Sequence, residues 1–300
     1  MPFIEIARIL TKEIYPLSVV IATLGGDSLP NTLATLNSGS AIPAEILICI
    51  PEREAGRVTA LQRDNVRVVV TPCRGQVAQR AFGFGQTGQP LVLQMDDDIL
   101  IEPAHLRALI ESLQRLGRGN VVAPIYRDLG TRCLHTYMRG WSGRVQDVYA
   151  AVICGAKWGM RRMGTVSPAG VSYGVDEKLC SEPAVQTEWL PGGCVLSFRE
   201  DLVTEAFFPF PGKAYCEDLI HSILRRHRGL KLWVLPQLYC QTAAPPPQVL
   251  TWKEMRNDLR ARRHVVQLAG GSQMRLALWF AADALRRGLR TLLPRRRQPG

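Results

Sequence analysis

Leu91-Val92-Leu93-Gln94-Met95-Asp96-Asp97-Asp98-Ile99-Leu100-Ile101 sets three carboxylates at the end of one apolar run and directly before another. Residues 91–95 have the length and composition of a buried strand. Carboxylates buried without partners cost several kcal/mol or become protonated, so such a cluster calls for a cation or a hydrogen-bonding ligand. Oxygen ligands of this kind suit Mg2+ or Mn2+ better than zinc. A solvated turn after a strand is the plain alternative, and the apolar residues on both sides argue against it.

Upstream, Leu17 to Ala22 is a β-branched strand run that stops at Gly25-Gly26, and Leu29, Leu33 and Leu36 then recur at helical spacing. Glu45 to Ile50 and Val66 to Val70 repeat the strand signal, ending near Pro51 and Pro72, with an amphipathic segment between them. Gln76 to Gly83 reads as the start of a helix. Strands alternating with helices predict an α/β chain with a doubly wound, mostly parallel sheet and helices on both faces. Ligands of such sheets bind outside the carboxyl ends of the strands, where Asp96 to Asp98 lie.

Downstream, Pro103 to Leu116 is helical and Val121 to Pro124 a further strand. From Tyr126 to about Thr187 no period is visible, and an irregular stretch of that length reads as a functional insertion. A second ordered block follows. Pro191-Gly192-Gly193 leads into a strand, Arg199 to Ala206 reads as helical, Glu217-Asp218 opens a helix to about His227, and Lys231 to Leu235 is a strand. Ala243 to Pro247 is a stiff break.

Composition narrows the class. The chain has 300 residues, 46% of them hydrophobic, and a net charge of +11, of which +9 falls in residues 252–300. Eight cysteines are far apart with no CxxC pair, which suits buried thiols better than a disulfide framework or a zinc site. Met1 to Lys12 intersperses Glu5, Arg8 and Lys12 among apolar residues, unlike a secretory leader. No uncharged apolar stretch approaches the ~18 residues of a membrane span. The expectation is a cytoplasmic protein.

The acidic triplet, the glycine pair and Glu217-Asp218 occur in an order and spacing that resemble the family 2 glycosyltransferases of GT-A fold. The resemblance covers about residues 15–240, from SVVIAT at 18–23 through QMDDDI at 94–99 and WLPGGCVLSFRED at 189–201 to EDLIHSILRRHRGLKLWVLP at 217–236. It implies inversion at the anomeric carbon, a nucleotide-sugar donor, and Mg2+ or Mn2+ on the donor's diphosphate. By the same resemblance Asp98, with Asp96, binds the metal, and Asp96 or Asp97 contacts the donor's ribose or sugar. Asp218 is the general base, with Glu217 as the fallback; a sugar hydroxyl is a weak nucleophile and needs a positioned carboxylate. Ala22 and Thr23 offer backbone groups to the nucleotide base, and Arg80 lines its pocket. Many members carry an Asp at the end of the second strand that reads a uracil ring. This chain has Pro51-Glu52 there, so Glu52 stands in that place and the base identity stays open. Gly192 and Gly193 let backbone approach the donor sugar or the acceptor. Trp189 reads as core, with stacking on a sugar face as the alternative, and His221 as a structural histidine.

The domain expected from this is 1–245, with a nucleotide-sugar half at about 15–125 and an acceptor half at about 126–245. Residues 246–300 form a basic, amphipathic extension. Within it Leu276, Trp279, Phe280 and Leu285 recur at helical spacing beside Arg286, Arg287 and Arg290. Such a helix either lies on an anionic membrane surface through residues 274–297, at the inner face of the membrane, or packs on its own domain. The acceptor expected is a glycan or lipid-linked saccharide, and nucleic acid is not an expected partner. Rival functions are a non-catalytic nucleotide-sugar-binding or assembly subunit and a nucleotidyltransferase.

Overall fold

A computed structural model describes residues 13–129, 141–210, 213–243 and 251–292. The proline break at 245–247, Cys133 and the arginines at 295–297 lie outside the described residues. The first half contains β1 (Glu13–Ala22), α1 (Leu29–Asn37), β2 (Ala41–Pro51), β3 (Val66–Thr71), α2 (Gln76–Phe84), β4 (Leu91–Met95), β5 (Leu100–Ile101), α3 (Pro103–Leu116) and β6 (Asn120–Arg127). The second contains α4 (Trp141–Val152), β7 (Val185–Thr187), β8 (Cys194–Phe198), α5 (Glu217–His227), β9 (Lys231–Gln241), α6 (Trp252–Leu268) and α7 (Gln273–Leu292).

Nine described strands form one sheet in the order β3-β2-β1-β4-β8-β6-β9-β5, with β7 also on β9. Strands β1 to β4, β6 and β9 run one way, and β5, β7 and β8 oppose them. Strand β4 and the second halves of β1 and β2 read as apolar runs because both of their faces are covered. Val19 and Ile21 face the layer of α1 and α3, packing with Leu33, Leu36, Leu109 and Leu113. Val20 faces the other way, with Leu47, Cys49 and Phe84 of α2. Near the middle of β9, Pro236 has no N–H to give the ladder, and the register with β6 slips between Pro124 and Ile125.

Several expectations need correction. Arg199 to Ala206 is not a helix: Arg199–Asp201 makes a single 3-10 turn, after which Leu202 is drawn into the cluster around Val20 and Phe84. The segment between β2 and β3 is two 3-10 turns, Glu52–Arg57 and Thr59–Leu61, in which Val58 is the buried anchor. The stretch read as irregular contains α4 and part of β6. The C-terminal extension is helical, as its composition predicts, and its first helix, α6, opens on a full capping box of Thr251 and Glu254. Val265 of α6 packs against Leu219, Ile220 and Ile223 of α5, so this helix belongs to the body of the fold. No described helix is long and apolar enough to cross a membrane.

Candidate active site

The site follows from one antiparallel insertion. Strand β8 runs against β4 with Met95 opposite Cys194, so the residues just before β8 lie beside the residues just after β4. Asp96 N–H accordingly donates to Gly193 O at 2.8 Å. The buried amide of Gln94 donates to Gly192 O, fixing the turn from below. Helix α5 then brings Glu217 and Asp218 against the same turn.

The glycine pair is required by this convergence. A Cβ on Gly192 would lie 2.8 Å from Glu217 Oε1 and 3.5 Å from Asp218 Cγ; one on Gly193 would lie 2.7 Å from Asp96 Oδ2. Contacts under 3.0 Å force something to shift, so glycine here lets three carboxylates gather on one turn. Asp218 also accepts hydrogen bonds from its own N–H and that of Gly192.

Arg80 holds the cluster together. Only 2% exposed, it donates from Nη1 to Glu217 Oε1 at 2.7 Å and from Nη2 to Asp96 Oδ1. Asp96 Oδ1 accepts from Gln76 as well, at 2.8 Å. Burial opposes the charge on Arg80, yet the Glu217 and Asp96 carboxylates outweigh it and raise its pKa above the ordinary arginine value. Burial pushes Glu217 up to about 7 despite Arg80, with Asp218 and Asp96 adding to the rise. Asp218 is raised by burial too, its backbone hydrogen bonds pulling the other way.

On the β1 side, Thr23 Oγ1 donates to Asp97 Oδ2 and accepts from Gly25 N–H at 2.9 Å. Gly25 takes φ +77, the left-handed region that favours glycine. The Thr23 backbone is engaged within the fold: its N–H donates to Cys49 O at 3.1 Å, and its C=O accepts from Gln79 Nε2 at 2.9 Å. Ala22, Thr23 and Asp97 line a cleft of about 620 Å3 together with Arg74, Gln76 and Lys213. That volume lies within the ~300–1,000 Å3 typical of small-molecule sites.

Asp98 does not line this cleft. It is exposed, and its Oδ2 accepts from Thr242 Oγ1 at 3.2 Å, just past β9. Residual burial and the nearby Asp96 carboxylate raise its pKa. Glu52 is exposed at the head of its 3-10 turn. Its neighbour Glu54 is the residue tied to the cleft wall, through Arg74 at 3.2 Å.

Trp189 is buried and donates from Nε1 to Tyr173 O at 2.9 Å. His221 is buried with its ring 5.2 Å from that of Phe207, and burial, with Arg225 beside it, holds it well below the ordinary histidine value. Among the described residues no group of three His, Cys, Asp or Glu side chains is placed to hold a metal by itself.

Residues 18–142 match the family model described as glycosyl transferase family 2. Over those residues the chain resembles the family 2 glycosyltransferases. The glycosyltransferase fold is also what solved structures show. The chain is similar to GalNAc-T7, solved with UDP, GalNAc and Mn2+, at TM-score 0.58 and 14% identity, over 82% of this chain and 47% of that one. It is similar to residues 1–349 of S. aureus TarS in complex with UDP-GlcNAc, at TM-score 0.54 and 13% identity, over 87% of this chain and 68% of that one. It thus spans about half the length of the GalNAc-T7 chain. No curated protein matches it by sequence. The matched segment contains Thr23, Arg80 and the acidic triplet, whereas Gly192, Gly193, Glu217 and Asp218 lie beyond it.

Proposed function

We propose that this glycosyltransferase is inverting and metal-dependent, and moves a sugar from a nucleotide-diphosphate donor to a hydroxyl of a glycan or lipid-linked acceptor. The observation that carries this is the shared turn: Asp218 is bonded to Gly192 N–H while Asp96 N–H is bonded to Gly193 O. A base and the acidic strand end are thus held one residue apart, next to a cleft of donor size.

Asp218 acts as the general base. Its raised pKa makes it a stronger acceptor for a hydroxyl proton than an ordinary aspartate. Glu217 is committed to Arg80 and serves to hold it, so it is the poorer base. Thr23 fixes Asp97 at the cleft, where it binds the donor's ribose or sugar. Arg74 and Lys213, which line the same cleft, supply positive charge to the phosphates.

The residues present fit a divalent ion. Asp98 is open apart from its Thr242 bond, and Asp96, although bound through Oδ1, retains Oδ2. Mg2+ and Mn2+ sites of this kind use one or two carboxylates together with substrate phosphates. When bound, the ion neutralises charge that develops on the departing diphosphate.

The test is incubation of purified protein with a panel of nucleotide sugars, with and without Mn2+ or Mg2+. Release of nucleoside diphosphate only when a divalent ion is present is the expected result. Release unaffected by chelator contradicts the metal dependence, and no release or binding from any donor contradicts the donor class.

A further inference from the structure

Helices α4 and α7 each turn an apolar stripe to solvent. On α4, Val145, Val148, Tyr149 and Val152 are exposed, at the i, i+3, i+4 and i+7 positions of a single face. Trp158, 57% exposed, and Met160 extend it past the helix end. On α7 the residues at helical spacing divide: Leu276, Trp279 and Phe280 are wholly or partly covered by the protein, whereas Leu285 is exposed. Leu276 is buried, and Trp279 lies under the Arg262 guanidinium, 4.6 Å from the ring centre. The face left outside is Met274, Ala277, Leu278, Ala281 and Leu285, again a single helical stripe. The two stripes adjoin where Arg275 Nη1 donates to Val152 O at 2.6 Å.

Charge around these stripes is segregated. Asp147 is the sole acid of α4 and pairs inward with Arg162 at 2.5 Å; Asp283 is the sole acid of α7 and is buried. Arg144 and Arg161 are exposed beside the apolar face, Lys157 is exposed there and paired with Glu188 at 3.7 Å, and the α7 sequence continues with Arg286, Arg287 and Arg290. Contiguous exposed apolar surface of this kind marks an interaction site. A second copy of the chain docking face to face would set these bases against their own kind. An anionic surface complements them.

We propose that α4 and α7 together form a docking surface for an anionic lipid bilayer, with Val148, Val152 and Leu278 entering the interface and the surrounding bases meeting the headgroups. Apolar stripes flanked by Lys and Arg bind in the plane of such an interface. The proposal is independent of the catalytic assignments.

Flotation of the full chain tests it, using vesicles of phosphatidylcholine alone or with about 30 mol% phosphatidylglycerol. The chain floats with the anionic vesicles, and Val148→Glu and Leu278→Glu each reduce recovery by about tenfold, with thermal midpoint and nucleotide-sugar turnover unchanged. Val148→Ser and Leu278→Ser give smaller losses of the same sign and serve if a glutamate variant fails to fold. Absence of flotation by the parent chain overturns the proposal. So does equal flotation of all variants, or a dimer by light scattering that these substitutions dissociate.

Discussion

Arg80 and Glu217 are 137 positions apart in sequence, yet Nη1 of one donates to Oε1 of the other at 2.7 Å in the interior. The pair ties α2 to α5, and through Asp96 it ties both to the end of β4. Breaking a buried ion pair from one side leaves an uncompensated charge, which costs about 3–5 kcal/mol. Arg80→Met is therefore expected to lower unfolding stability by about that amount in urea titrations. Glu217→Gln, which keeps a hydrogen-bond acceptor for Arg80, is expected to cost less.

The same pair gives a pH signature. Glu217 is raised in the folded state to about 7, so folding favours its protonated form. Its contribution to stability is fully present below its unfolded value and is lost as pH rises through about 7. Thermal unfolding of wild type and Glu217→Gln between about pH 4.5 and pH 8 should therefore show the difference moving in favour of the variant as pH increases. A difference that stays constant across that range contradicts the assignment.

Gly193→Ala places a methyl group 2.7 Å from Asp96 Oδ2, and Gly192→Ala places one 2.8 Å from Glu217 Oε1. Overpacking of this kind costs about 1–3 kcal/mol where the surroundings can shift. Displacing catalytic groups by ~1 Å can cost about a hundredfold in rate. Both variants are expected to fold, by circular dichroism, and to lose about two orders of magnitude in turnover.

Thr242 donates to Asp98 at 3.2 Å from beyond β9. Partners that orient a metal-binding carboxylate typically change metal affinity by about 10–100-fold. Thr242→Val should raise the Mn2+ concentration needed for half-maximal turnover by about that factor, with little change in the rate at saturating Mn2+.

Much of this was legible in the sequence because the signals were local. Helix α3 begins at Pro103 and α5 at Glu217, where the sequence placed them, since a proline in the first turn and paired acids at a helix start are local marks. Strand β4 was legible because a strand covered on both faces is apolar throughout. Hidden were the features made by pairing distant segments. An arginine in an amphipathic helix reads as surface, and only the placement of Asp96 and Glu217 around it makes Arg80 an interior residue. Gln94 looks like a polar break in an apolar run until β8 sets Gly192 beside it. Thr242 had no signal, because its partner is 144 positions away. For α7 spacing shows that the helix is two-sided without showing which side the protein covers, so membrane binding and packing on the domain both stay open in the sequence.

In the proposed reaction Asp218 takes the acceptor's proton while the donor is held by other residues. The most direct test measures donor binding by calorimetry and turnover of the same nucleotide sugar, in wild type and Asp218→Asn. Donor affinity is expected to stay within about threefold while turnover falls by at least about a hundredfold, the range that general base catalysis supplies. Turnover in Asp218→Asn within a few-fold of wild type contradicts the claim.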